Sequence, residues 1–172
     1  MMKKISKSEA ENLPLLRFPH KVLRSAVIRE YMHKAGYEKA VCFSCGNAAI
    51  ALEDAGIVTV HIGKNGILSP NKWFTTAEIK HTFTDCFDAT SGHLTVDLMQ
   101  KIGDAYKDYV GKLSGTVFVP TGSGETLCCL KFAYQDIDFV AVRNIDDATK
   151  FDKNAPLNTL VELLAKDVFF VE

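Results

Sequence analysis

Residues 115–142 read GTVFVPTGSGETLCCLKFAYQDIDFVAV. GTVFVP (115–120) is a short β-branched and aromatic run closed by proline, the pattern of a buried strand. GSGETLCCLKFAY (122–134) is a glycine turn that opens into a stretch without breakers, long enough for a helix. DFVAV (138–142) is another β-branched run. Strand, glycine turn, helix and strand in this order form a βαβ unit, whose strands are parallel and whose crossover is right-handed.

The same grammar continues upstream. HKVLRSAVIREYMHKA (20–35) places Val22, Leu23, Ala26, Val27 and Met32 at helical spacing, and Gly36 supplies the stop. KAVCFS (39–44) reads as a strand, NAAIALEDA (47–55) as an Ala-rich helix closed by Gly56, and IVTVHI (57–62) as the next strand. Residues 63–94 are irregular, with a turn-rich KNGILSPNKW (64–73) and a capping box, Thr75-x-x-Glu78, that opens a helix toward Phe87. TVDLMQKIGDAYKDYVG (95–111) carries Val96, Leu98, Met99, Ile102, Tyr106 and Val110 along one stripe and is a helix. A last helix starts near Pro156, and VFFV (168–171) is a terminal strand. The expected fold is α/β: a single three-layer domain over 1–172, with an N-terminal arm at 1–19 and a parallel sheet of about four or five strands.

Composition narrows the function. The chain has 172 residues, 47% hydrophobic and 24% charged, with a formal net charge of −1. A balanced charge argues against a dedicated nucleic-acid partner, whose affinity needs clustered cations. No segment approaches the ~20 apolar residues of a membrane span, and no signal-type apolar region follows the basic start, so the expected location is cytoplasmic. Five cysteines, an odd number in a chain large enough to fold without them, fit reduced thiols.

In open parallel sheets ligands bind beyond the carboxyl ends of the strands, which directs attention to two strand-to-helix turns. They are Phe43-Ser44-Cys45-Gly46-Asn47 and Pro120-Thr121-Gly122-Ser123-Gly124-Glu125-Thr126. Each presents backbone N–H groups at a helix N-terminus, a ready anion site. Both turns are expected on one cleft. The second turn has Glu125 where a P-loop has its lysine, which argues against a nucleoside triphosphatase.

Taken together, VFVPTGSGETLCCLKFAYQDIDFVAV (117–142), FSCGNAAIALEDAG (43–56) and LPLLRFPHKVLR (13–24) resemble, in order, elements of the fold-type II pyridoxal-phosphate enzymes. That group includes cysteine synthase, threonine dehydratase and serine racemase. The resemblance implies a minimal core of that fold and a lyase or transferase acting on a small amino acid, with pyridoxal 5'-phosphate as cofactor. It implies that Lys21 forms the Schiff base and that Asn47 faces the ring oxygen. Gly122, Ser123, Gly124 and Thr126 would cradle the phosphate, and Ser44 and Cys45 would lie near the substrate carboxylate. Glu125 is compatible with a bound phosphate only if its side chain points into solvent. A homodimer would cover faces that so short a chain leaves open.

Two other classes compete. The first is a non-catalytic descendant of the same fold that binds a small anion or a protein partner, with no aldehyde chemistry at Lys21. The second is a thiol oxidoreductase built on Cys42-x-x-Cys45, although Cys42 alternates into the sheet core. The histidines show no metal-ligand spacing, and no metal is expected. His93, in the polar turn Ala89-Thr90-Ser91-Gly92-His93 before a helix, reads as a loop and capping residue, the alternative being that this loop lines the same cleft.

Overall fold

A computed structural model describes residues 1–43, 47–62, 81–144 and 156–172. The chain is α/β with parallel strands throughout its two sheets. It divides into two compact units: Met1–Phe18 with Tyr106–Glu172, and Pro19–Ala105.

The first unit is built on a sheet of order β1-β7-β6-β5, comprising β1 (Met2–Ile5), β5 (Thr116–Pro120), β6 (Asp138–Asn144) and β7 (Asp167–Val171). Helix α5 (Glu125–Ala133) connects β5 to β6, and α6 (Pro156–Leu164) precedes β7. This is the βαβ unit expected from residues 115–142, extended by one further strand. Strand β6 is central, so its run Phe139, Val140, Ala141 and Val142 is buried, as parallel strands covered on both faces require. The segment expected as an arm supplies β1, paired parallel with β7 from Met2↔Val168 to Ile5↔Val171. A short helix, α1 (Lys7–Glu11), follows, capped by the Ser6 hydroxyl on Glu9 N–H at 3.1 Å.

The second unit carries a sheet of order β3-β2-β4, formed by β2 (Lys39–Phe43), β3 (Val58–Ile62) and β4 (Phe87–Asp88). Helix α2 (His20–Ala35) precedes β2 and ends at Gly36, whose φ of 81° is a left-handed cap that favours glycine. Helix α3 (Asn47–Asp54) links β2 to β3. Ala40, Val41 and Cys42 are fully buried on β2, in keeping with Cys42 as a core residue. Helix α4 (Val96–Val110) lies in this unit up to Ala105 and in the other from Tyr106 onward, burying Leu98, Met99, Ile102 and Tyr106. Among the described residues no helix is long and apolar enough to cross a membrane.

Three expectations are corrected. The strands of 39–62 and 115–142 lie in two sheets rather than one. The flank of β5 that would have to receive a strand from 39–62 is taken by Leu15, through a parallel bridge to Phe118 and a 2.8 Å bond from Leu16 N–H to Phe118 O. The helix expected from the Thr75 capping box toward Phe87 does not extend that far, because Phe87 pairs with Ala40 as the start of β4. Helix α2 buries Arg24, Ser25, Ile28 and Met32, and leaves Val22 63% exposed.

Candidate functional site

Beyond the carboxyl end of β5, Thr121 continues the ladder. Its N–H donates to Val142 O at 2.8 Å, and its hydroxyl turns back to Val119 O at 2.9 Å. Arg143, near the end of β6 and buried, donates from Nη2 to Gly122 O at 2.9 Å. Gly124 adopts φ 98°, the left-handed conformation that a side chain resists, and so delivers the chain into α5. Among the described residues the N–H groups of Gly122, Ser123 and Gly124 take no backbone acceptor. To this point the loop has the form of an anion cradle.

Glu125 changes its chemistry. It is the first residue of α5 and is 3% exposed, so its side chain does not point into solvent. A carboxylate in the first turn meets the positive end of the helix dipole, which explains a glutamate at this position. Its influence extends along α5 to Cys128, whose thiol burial pushes up to about 11, with the Glu125 charge adding to the rise. A dianionic phosphate on the same turn would lie close in sequence to this carboxylate. Each pair of like unit charges about 4 Å apart repels by about 4 kcal/mol at the dielectric of a protein surface. Residues 121–126 therefore place a buried carboxylate next to the N–H groups that would hold a phosphate.

The Cys128 thiol has a consequence for stability. Unfolded, it ionises near the ordinary 9.0, whereas folded it holds its proton to about 11. Its contribution is complete below pH 9.0 and is lost as pH rises toward 11, which amounts to about 2–3 kcal/mol over that interval. Urea unfolding at about pH 8 and about pH 10.5 should show a larger loss in the wild type than in Cys128→Ala. Equal losses would refute this source.

In the other unit, the carboxyl ends of β2 and β4 carry a denser polar arrangement. Asp88 ends β4, and its Oδ2 lies 2.7 Å from Nδ1 of His93; the two side chains are 6% and 5% exposed. Asp88 Oδ1 accepts from Thr90 N–H at 3.0 Å, and His93 N–H donates to Thr90 O at 3.0 Å. The Thr90 hydroxyl accepts the N–H of Phe43, the last residue of β2, at 3.0 Å. Ala89 N–H donates to Val41 O at 2.9 Å, and Arg24 of α2 reaches Ala89 O through Nη2 at 2.7 Å. Strands β2 and β4 and helix α2 thus converge on the turn that holds a nearly dry Asp–His pair.

Lys21, in the first turn of α2, and Asn47, which opens α3 with its side chain exposed, belong to this same unit. Gly122, Ser123, Gly124 and Thr126 belong to the other. Ser44, Cys45 and Gly46 lie outside the described residues, as does Thr75-x-x-Glu78.

Asp88 escaped the sequence reading because the expected helix was carried to about Phe87, which hid the two-residue strand Phe87–Asp88. The signal was present in Asp88-Ala89-Thr90-Ser91-Gly92-His93, where an aspartate two residues before a threonine forms the side-chain-to-backbone turn seen here. A separate groove of about 660 Å³ is lined by Arg29, His33, Tyr37 and Ile57 among others, residues that precede β2 and β3. It lies off the carboxyl ends of the strands, where parallel sheets place their chemistry. No family model matches the chain, and no curated protein matches it.

Proposed function

We propose that the chain is a diverged relative of the fold-type II pyridoxal-phosphate proteins that binds a small amino acid or related small carboxylate without using the cofactor. One observation carries the choice between this module and a pyridoxal-phosphate enzyme: the burial of Glu125 on the turn that would hold the phosphate. Support for the lineage is the order of Lys21, Asn47 and the glycine loop in the sequence. Support for a small ligand is the polar turn at the carboxyl ends of β2 and β4, in the unit that contains Asn47.

The test is to add pyridoxal phosphate, follow the visible absorption band, reduce with borohydride and map the labelled peptide. Wild-type protein is expected to show neither a band shift nor a label at Lys21, and a reduced adduct at Lys21 would overturn the proposal. Glu125→Gly removes the opposing charge and is expected to bind the cofactor's phosphate at least about tenfold more tightly, the factor that corresponds to about 1.4 kcal/mol.

A further inference from the structure

We propose that β3 is a self-association edge, through which two copies of this chain pair antiparallel about a two-fold axis at Val60 and join their three-stranded sheets into one.

A strand at the edge of a sheet exposes a row of backbone N–H and C=O groups that accept an extended partner, and folded chains blunt such edges with charge, proline, brevity or a covering segment. Among the described residues, three of the four sheet edges in this chain are blunted in these ways. Strand β1 carries the exposed Lys3 and Lys4. Strand β5 is covered by Leu15 and Leu16 along Phe118 and ends in Pro120. Strand β4 is two residues long. Strand β3 has none of these protections. It reads VTVHI, five residues without Asp, Glu, Lys, Arg or Pro, and pairs with β2 on one side only. Val58 is 64% exposed and Val60 36%, although both lie on the face where Val41 and Ile62 are buried together. Apolar side chains exposed beside open backbone donors and acceptors are what an added strand covers.

Charge and symmetry choose the occupant. With no carboxylate, ammonium or guanidinium on it, β3 has nothing to select an oppositely charged peptide and nothing to repel a second β3. In an antiparallel pair centred on Val60, the two Val60 side chains lie opposite each other. Val58 then meets the partner's Ile62, and Thr59 meets the partner's His61. The exposed valines become β-branched cross-strand pairs, the unit of sheet stabilisation. A two-fold contact of this kind closes after two copies and leaves no further edge of the same sort open.

Light scattering over a concentration series reads the mass, and amide hydrogen exchange reads the edge. The wild type is expected to reach the mass of two chains, with exchange at residues 58–62 slowing as it does so. Val60→Lys sets two ammonium groups opposite each other at about 5 Å and is expected to weaken association at least about tenfold. Val60→Thr, β-branched and uncharged, should retain it, and a mixture of the Val60→Lys and Val60→Glu chains should form a mixed dimer. A monomeric wild type, exchange at 58–62 that ignores concentration, Val60→Lys association as tight as that of the wild type, or a mixture that stays monomeric would each overturn the inference. The wild-type mass and exchange decide even if Val60→Lys does not fold.

Discussion

Replacing Phe139 by alanine is expected to lower stability by about 3–5 kcal/mol, the largest single loss foreseen in the chain. Phe139 is fully buried on β6, an inner strand paired with β5 on one side and β7 on the other. Its ring meets Tyr134 edge-on with centroids 6.5 Å apart, and the Lys131 ammonium lies 6.0 Å over it. The backbone bonds, including Lys166 N–H to Phe139 O at 2.8 Å, survive the substitution, so the loss measures packing alone. Urea unfolding provides the number. Phe139→Leu, which refills most of the volume, should cost less than half as much, and a loss below about 1 kcal/mol for the alanine variant would contradict the packing described.

The second large effect is expected at Arg24. Its guanidinium is buried and donates to Ala89 O at 2.7 Å, and hydrogen bonds from charged groups contribute about 1.5–3 kcal/mol. Arg24→Met keeps the aliphatic stem but leaves a carbonyl unsatisfied in a dry turn, at an expected cost of about 2–3 kcal/mol. The chemical shifts of Thr90 and His93 should move with it, because Ala89 precedes the turn that fixes both. Arg24→Lys should recover little, since an ammonium on a shorter stem does not reproduce the reach of the guanidinium fork. Unchanged stability together with unmoved His93 signals would show that Arg24 does not hold this turn.

What was legible in the sequence and what was not divide along physical lines. Residues 115–142 announced their elements because Val117–Val119 and Phe139–Val142 are continuous apolar, largely β-branched or aromatic runs separated by glycines, and the structure buries Phe139–Val142 fully and Val119 of the other run. Strand β1 gave no such signal. Lys3 and Lys4 are exposed on an edge strand, where charge is tolerated and hydrophobic pattern is weak. Division into two sheets was invisible because periodicity reports which residues are buried, not which distant strand they pair with. The glycine loop at 121–126 was legible as a shape. The burial of Glu125, which decides its chemistry, depends on packing that no local window contains. His93 was noticed, whereas its partner Asp88 was hidden in a two-residue strand too short to leave a pattern.

The pairing of β1 with β7 has a consequence for how the chain acquires its structure. Pro19–Ala105 is a continuous segment whose sheet closes over short sequence separations, whereas the other unit joins Met2–Ile5 to Val168–Val171 around it. During synthesis the first of these strands emerges well before its partner and waits for it. Its exposed edge meanwhile stays open to wrong neighbours. Long-range parallel pairing is also the slow kind. Refolding should therefore run in two phases, a fast one reported by Tyr31 and Tyr37 near Phe87 and a slow one reported by the Phe118–Phe169 contact.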